Sequence, residues 1–337
     1  MAELPLIILT NRVFPETQAA FDGIARIVSN ERSEPWSYDE VAERCRDAAG
    51  LMAFMTDRID HAFLERCPNL KVIGAALKGY DNIDVEAASK RGIQVTIVPD
   101  LLTEPTAELA IGLMIALSRN ILLGDTGIRT SGFQGWRPRL YGTGLSGSTV
   151  GIIGFGQVGR AIARRLSGFN CRIVAFDPRP FDACADVEAM AFGDVLERAD
   201  IVVLGVPLTS ATAGLINAEA IGRMRRGALL INPARGSLVD EAAVADALES
   251  GHLAGYAADV FEFEDWALPH RAKTIDARLT APGARTVLTP HIGSAVGSVR
   301  RQIELSAATS ILDALAGKEP AGAVNTPSHT PRNAGSA

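Results

Sequence analysis

The stretch Thr149-Val-Gly-Ile-Ile-Gly154-Phe-Gly156-Gln-Val-Gly159-Arg-Ala-Ile-Ala-Arg-Arg-Leu166 decides how this chain is read. Val150 to Ile153 is a short apolar run of the kind that forms a buried strand. Glycines follow at 154, 156 and 159, and Val158, Ile162, Ala163 and Leu166 then recur at helical spacing. Strand, glycine turn and helix in this order make a phosphate cradle. The first glycine permits the tight turn, the second lets a pyrophosphate approach the backbone, and the third lets helix pack on strand. The free N–H groups and positive dipole end of the helix attract the phosphates. A second strand, Cys171-Arg-Ile-Val-Ala-Phe176, ends on Asp177, 18 residues beyond Gly159. That is the place of the acid that binds ribose hydroxyls in a dinucleotide site. A carboxylate there repels a 2′-phosphate, so NAD is the expected cofactor, while Arg179 two residues on leaves room for some use of NADP.

The chain has 337 residues, enough for two domains of ordinary size, with 47% hydrophobic and 21% charged residues. A net charge of −6 argues against nucleic acid as a partner. It also means that an anionic substrate has to be held by local cations. No apolar run reaches the length of a membrane span, and Met1-Ala-Glu-Leu-Pro-Leu-Ile-Ile-Leu reads as a first strand and not a leader. A cytoplasmic protein without membrane contact is expected. Cys45, Cys67, Cys171 and Cys184 lack metal-ligating spacing, so buried thiols and no metal are expected.

Upstream of the glycine turn, apolar runs at Leu6–Leu9, Ala48–Phe54, Leu70–Leu77 and Gln94–Val98 read as strands. They alternate with helical stretches that begin at Pro15 and cover Val85–Arg91. Such alternation predicts a parallel sheet with ligands at the strand C-termini, where Met55 and Lys78 fall. Pro105 opens a long helix, apolar nearly all round, expected to be buried between domains or subunits. Gly132 to Gly144, rich in turn residues and aromatics, is expected to be a loop. Beyond Asp177, strands are expected over Asp200–Val206, Ala228–Pro233, Gly255–Phe261 and Thr286–Leu288. Asp240 is a candidate N-cap for a helix over Glu241–Glu249. A last helix over about Val296–Leu315 is expected to return to the N-terminal domain, and the tail beyond Pro320 to be loose. The predicted architecture is α/β. A Rossmann dinucleotide-binding domain, residues 102–295, is inserted in a smaller flavodoxin-like α/β substrate domain made of residues 1–101 and 296–337.

Three polar residues follow strand ends of the second half: Arg235, Glu264 and His291. Parallel strands bring their C-termini to one edge, so these side chains can converge. Arginine offers a permanent planar fork to an anion, and histidine moves protons near neutral pH. A carboxylate on the far ring nitrogen fixes the tautomer and favours the charged imidazole. Each residue alone has an ordinary structural explanation. Their coincidence at successive strand ends beside a dinucleotide unit points to catalysis.

With these residues in view, the chain resembles the D-2-hydroxy-acid dehydrogenase family over nearly its whole length. The matching segments are Gly79-Tyr-Asp-Asn-Ile-Asp84, Gly154-Phe-Gly-Gln-Val-Gly159, Asn232-Pro-Ala-Arg-Gly236, Asp259-Val-Phe-Glu-Phe-Glu264 and Pro290-His-Ile-Gly293. The resemblance implies a homodimer with a split substrate domain and NAD as cofactor. It puts the family's catalytic residues on Arg235, Glu264 and His291, and its nicotinamide-amide partner on Asp259. Around the cofactor it also puts Gly154, Gly156, Gln157, Val158, Gly159 and Asp177. Lys78, Val206, Pro207, Pro233 and His291 complete that set.

Ala75-Ala-Leu-Lys78-Gly79 departs from the family's usual loop of small apolar residues by carrying a lysine. This loop is similar to that of the phosphite (phosphonate) dehydrogenases within the family. So are Ala53-Phe-Met55, Val98-Pro-Asp-Leu-Leu102, Phe133-Gln-Gly-Trp136, Tyr141-Gly-Thr-Gly144, the run Asp259 to Trp266, and His291-Ile-Gly-Ser294. This resemblance implies the reaction phosphite + NAD⁺ + water → phosphate + NADH. Lys78, Arg235 and, at longer range, Arg300 then hold the dianion, and Met55, Trp136, Tyr141 and Ser294 surround it. His291, oriented by Glu264, is the expected base for the attacking water. Two readings stand beside this one. The first is a dehydrogenase of a D-2-hydroxy acid of the glycerate or glyoxylate type. The second, from another class, is an NADH-sensing binding protein.

Overall fold

The computed structural model describes residues 3–181, 186–265, 268 and 270–327. Cys184, Trp266 and the tail from residue 328 on lie outside these residues. The chain divides into two compact units, Met1–Leu102 with Ala295–Ala337, and Thr103–Ser294.

The first unit runs β1 (Leu6–Leu9), α1 (Pro15–Ala19), β2 (Arg26–Ser29), α2 (Tyr38–Arg44), β3 (Gly50–Ala53), α3 (His61–Glu65), β4 (Val72–Ala75), α4 (Val85–Lys90) and β5 (Gln94–Thr96). Its five strands lie in the order β2-β1-β3-β4-β5, all parallel, which is the flavodoxin-like arrangement. β3 and β4 are buried at every position, as expected of central strands covered on both faces. Side chains of Ser37, Asp60 and Asp84 cap the helices α2, α3 and α4. The C-terminal helix, Gly297–Leu315, lays Ile303, Ala307, Ala308 and Ile311 on β3 and β4.

Two features of this unit depart from the sequence reading. β2 carries an arginine and a serine on a half-exposed edge, so it lacks the apolar signature of a strand. The tail beyond Pro320 is docked, not loose, as far as it is described. Thr96 and Ala323 form an antiparallel bridge. Ile97 N–H donates to Gly322 O at 2.9 Å and Val324 N–H to Val95 O at 3.0 Å. The edge of β5 would otherwise present unpaired backbone groups, and the tail satisfies them.

The second unit runs α5 (Thr103–Ser118), α6 (Ile121–Ser131), β6 (Thr149–Ile153), α7 (Gln157–Leu166), β7 (Arg172–Phe176), β8 (Val187–Ala189), α8 (Phe192–Arg198), β9 (Ile201–Leu204), α9 (Ala218–Arg223), β10 (Ala228–Asn232), α10 (Glu241–Glu249), β11 (Leu253–Ala258) and β12 (Thr286–Leu288). Its seven strands lie in the order β12-β11-β10-β9-β6-β7-β8, all parallel. Counted from β6, this is the Rossmann order with one further strand, and it reverses between β6 and β9. The strand after Asp177 comes sooner than read, at β8, whose short Val-Glu-Ala run gave no signal.

Helix α5 was expected between domains or subunits. Its buried residues Ala107, Ala110, Leu113, Met114 and Leu117 belong to this unit's own core, against α7 and β10 to β12. Glu104 and Glu108 on its outer side pair with Arg164 and Arg165 of α7. Asn120, left-handed at φ 54°, ends the helix and turns the chain into α6, which buries no residue. No single helix among the described residues is long and apolar enough to cross a membrane.

Candidate active site

The C-terminal ends of parallel strands collect on one edge of the second unit. The glycine turn follows β6, Asp177 follows β7, Arg235 follows β10, Asp259 to Glu264 follow β11 and His291 follows β12. Gly154 sits at φ +98°, and a Cβ there would come within 2.6 Å of the Gly205 carbonyl carbon and of Val206 Cγ1. A Cβ on Gly159 would overlap the Gly154 carbonyl. Turn and helix therefore meet where neither position admits a side chain. Gly156 is the N-cap of α7 without a side-chain cap, and a Cβ there would meet nothing within 4 Å. No side chain caps this end and none stands over Gly156, as a pyrophosphate approaching the backbone requires. The Asp177 side chain is only 10% exposed. Its Oδ2 accepts from Phe155 N–H at 2.9 Å, its Oδ1 from Arg179 N–H at 3.0 Å. The acid of β7 is thereby fixed beside the glycine turn. Of the other expected cofactor neighbours, Gln157 and Pro207 are exposed, Val158 and Val206 half-buried, and Pro233 buried behind the Arg235 turn. These residues fit a dinucleotide.

His291 Nδ1 lies 2.7 Å from Glu264 Oε2. The other Glu264 oxygen accepts from Phe261 N–H at 2.8 Å, so the carboxylate is held while it holds the ring. With Nδ1–H donating to Glu264, Nε2 is left to exchange a proton with a substrate. His291 has a left-handed backbone, φ 55°, a strained setting for a side chain that persists where the surroundings enforce it. Asp259 enforces it here. Its backbone carbonyl accepts from His291 N–H at 2.8 Å. Its Oδ1 accepts from Ile292 N–H and from the Thr289 hydroxyl, and its Oδ2 from Gly293 N–H. Burial pushes this carboxyl up, and those donors and His291 draw it back. The residue expected to meet the nicotinamide amide thus acts in this structure as the anchor of the His291 turn.

Arg235 is half-buried. Asn232 Nδ2 donates to its carbonyl at 2.8 Å, and its own Nη1 donates to Ala234 O at 2.9 Å. A Cβ on Gly236 would overlap the backbone of Phe261 and Glu262. The Arg235 turn and the Glu264 turn are therefore in backbone contact. Ser294, just after the His291 turn, is half-buried.

The first unit carries Met55, Lys78 and Arg300. Lys78 follows β4 half-buried, and burial lowers its ammonium group from the usual lysine range while Asp100 pulls it back. Met55 packs against the core of its unit, the ordinary role of a methionine. Arg300 goes mainly to its own unit. It donates to Ala76 O at 3.4 Å, lies 3.9 Å from Glu304 Oε1, and has its guanidinium 5.8 Å from the Phe54 ring centroid. The structure gives it the end of β4 to hold. Trp136 and Tyr141 are 77% and 74% exposed, so the chain packs little around either ring.

Sequence reading passed over Asp57. Its Oδ2 accepts from the Thr10 hydroxyl at 2.5 Å and from Phe54 N–H at 2.7 Å, while Asn82 Nδ2 donates to Phe54 O and Asp57 O. These bonds fix the loop that carries Met55. Its only signal was a charged residue directly behind a buried strand. Among the described residues no group of three or more His, Cys, Asp or Glu side chains is placed to hold a metal ion.

Residues 111–293 match the family model described as D-isomer specific 2-hydroxyacid dehydrogenase, NAD binding domain. The glyoxylate reductase of Thermofilum pendens is 39% identical over 305 residues, covering 89% of this chain and 88% of that protein. The chain belongs to the D-isomer-specific 2-hydroxyacid dehydrogenases. The glyoxylate reductase of Pyrococcus furiosus is 36% identical, covering 95% of both chains. The crystal structure of the TT0316 protein from Thermus thermophilus superposes with a TM-score of 0.85 at 33% identity, over 95% of this chain and all of that one. As a 2-hydroxyacid dehydrogenase the protein is an NAD-dependent oxidoreductase, and the sheet with the glycine turn is its NAD-binding domain.

Proposed function

We propose that this 2-hydroxyacid dehydrogenase reduces a short 2-keto acid of the glyoxylate type with NADH, and oxidises the corresponding D-2-hydroxy acid in reverse. The observation that carries the proposal is the Glu264–His291 pair on the same sheet edge as the dinucleotide turn. The glyoxylate reductases named above support the substrate class. The first unit takes the role of substrate domain.

When bound, the dinucleotide supplies the hydride for the carbonyl carbon. His291 Nε2 gives the carbonyl oxygen its proton, and Glu264 stabilises the imidazolium that precedes the transfer. Arg235 offers a planar fork to the carboxylate and polarises the carbonyl. In the reverse direction the neutral imidazole accepts the hydroxyl proton. Asp177 disfavours a 2′-phosphate, so NAD is preferred over NADP, with Arg179 partly offsetting it.

A second reading, oxidation of phosphite to phosphate with NAD⁺ and water, draws on Lys78. A half-buried ammonium at the end of β4 suits a small dianion. The same cation suits a keto-acid carboxylate equally well, so the relatives tip the balance to the organic acid. We also take the protein to be a homodimer. Helix α6, without a buried residue of its own, is a marginal helix in water and calls for a cover that a second copy would supply. The deciding test is absorbance at the NADH band, with glyoxylate as acceptor in one cuvette and phosphite plus NAD⁺ in another. Loss of NADH in the first supports the keto acid, and gain of NADH in the second alone replaces it by phosphite. Binding of NADH without turnover in either leaves the sensor reading.

A further inference from the structure

We infer that Glu241 and Glu262 are positioning residues that clasp the Arg235 turn to the Glu264 turn and so set the geometry of the catalytic trio. The inference rests on the assignment of Arg235, Glu264 and His291 given above. Glu241 opens α10, just beyond the Arg235 turn, and Glu262 opens the short 3-10 turn that ends on Glu264. Each side chain accepts from the other's backbone. Glu241 Oε1 accepts from Glu262 N–H at 2.8 Å, and Glu262 Oε1 accepts from Glu241 N–H at 2.8 Å. Glu241 Oε2 accepts in addition from Asp276 N–H at 3.3 Å, so both its oxygens meet backbone donors.

Glu241 is 3% exposed. Burying a carboxylate is unfavourable unless its oxygens are satisfied, and an apolar residue would have filled the same space without that cost. What a carboxylate adds is acceptors aimed at two separate backbones. A second tie lies at the other end of the two turns. Ser237 N–H donates to Asp265 Oδ2 at 2.6 Å, with Asp265 2% exposed. Next to the second tie, the Gly236 backbone rests on that of Phe261 and Glu262. Residues 235–241 and 261–265 are therefore joined at three points, at Gly236, Ser237 and Glu241 of the first segment. Arg235 stands on one of these segments, and Glu264 with its hold on His291 on the other.

The test compares Glu262→Ala, Glu262→Gln and Glu241→Ala in the full-length chain. Gln keeps an acceptor for Glu241 N–H, and Ala does not. The readouts are kcat and KM for glyoxylate, the Kd for NADH, and the far-downfield proton resonance of the His291 Nδ1–H bond, assigned by its loss in His291→Ala. The alanine variants are expected to lose kcat by about tenfold to a hundredfold, the scale of a displaced catalytic group. Their NADH Kd is expected to stay within about twofold, because the glycine turn and Asp177 follow β6 and β7 while the clasp follows β10 and β11. The histidine resonance broadens or disappears in both, and Glu262→Gln restores rate and resonance. Unchanged kcat and resonance in Glu262→Ala overturn the inference. So does a Glu262→Gln variant as impaired as Glu262→Ala, or a parallel loss of NADH binding. Should the wild-type protein leave glyoxylate untouched, the substrate reading fails while the resonance comparison still decides the clasp.

Discussion

His291 shows how much chemistry here is fixed one residue at a time. Its ring is held by Glu264 and its left-handed backbone by Asp259, so the imidazole has one orientation to offer. Replacing His291 by Ala is expected to lower kcat about 10²- to 10⁴-fold, the range for a lost general acid, and to weaken NADH binding far less. Steady-state kinetics with a binding titration check this. Asp57 makes a second prediction. Burial pushes its carboxyl up to about 6 from an ordinary 3.8, against the pull of the Thr10 hydroxyl and Phe54 N–H. The folded state therefore holds this proton more tightly than the unfolded chain. The stabilisation is fully present below the ordinary value and is lost as pH rises to about 6, an effect of about 3 kcal/mol. Asp57→Asn cannot lose it. Its stability relative to wild type, followed by chemical denaturation, should rise between pH 4 and 7. A difference flat with pH would contradict the assignment. Arg235, Glu264 and His291 were legible in the sequence because each follows an apolar run. Asp57, Glu241 and Glu262 were not, because their partners are backbone N–H groups that only the folded chain brings within reach.

At the scale of elements, strands with a continuous apolar run were readable and those without one were not. β6, β9 and β10 are buried at nearly every position and stood out. β2 and β8 are edge strands with polar residues facing solvent, so no periodicity marked them. The docked tail escaped notice for a related reason. Its hold is polar, with Asn325 Oδ1 accepting from Val95 N–H at 2.7 Å and its Nδ2 donating to Ser89 Oγ and Ile93 O. Asn325→Ala should cost about 1–3 kcal/mol of stability by leaving those groups short of a partner, as measured by denaturant titration. Gly236 makes a sharper case. A methyl group there would overlap the Phe261 carbonyl, so the Arg235 and Glu264 turns have to part. Gly236→Ala is expected to lower stability by about 1–3 kcal/mol and to reduce kcat with it. A variant with wild-type melting temperature and rate would refute the close approach.

Across the whole molecule, the alternation of strands and helices announced parallel sheets, and the two strand orders give those sheets their identities. Alternation alone does not say which crossover passes which face, so the Rossmann and flavodoxin-like orders had to come from the glycine turn and the resemblance. The setting of the aromatic segment after α6 was not legible. Ile128, Phe133, Trp136 and Tyr141 are all more than half exposed, and large apolar side chains left to solvent along one short stretch are candidates for cover by a partner. If a second copy covers them, light scattering should report a dimer of twice 35.7 kDa, and Ile128→Asp should shift it toward monomer. A wild-type monomer at micromolar concentration would contradict the proposed homodimer. The substrate reading is tested most directly by following NADH absorbance in purified protein offered glyoxylate, beside a second trace of NAD⁺ with phosphite. Rapid loss of NADH with glyoxylate and no change with phosphite are expected; NADH formed from phosphite, with glyoxylate left untouched, would contradict the keto-acid assignment.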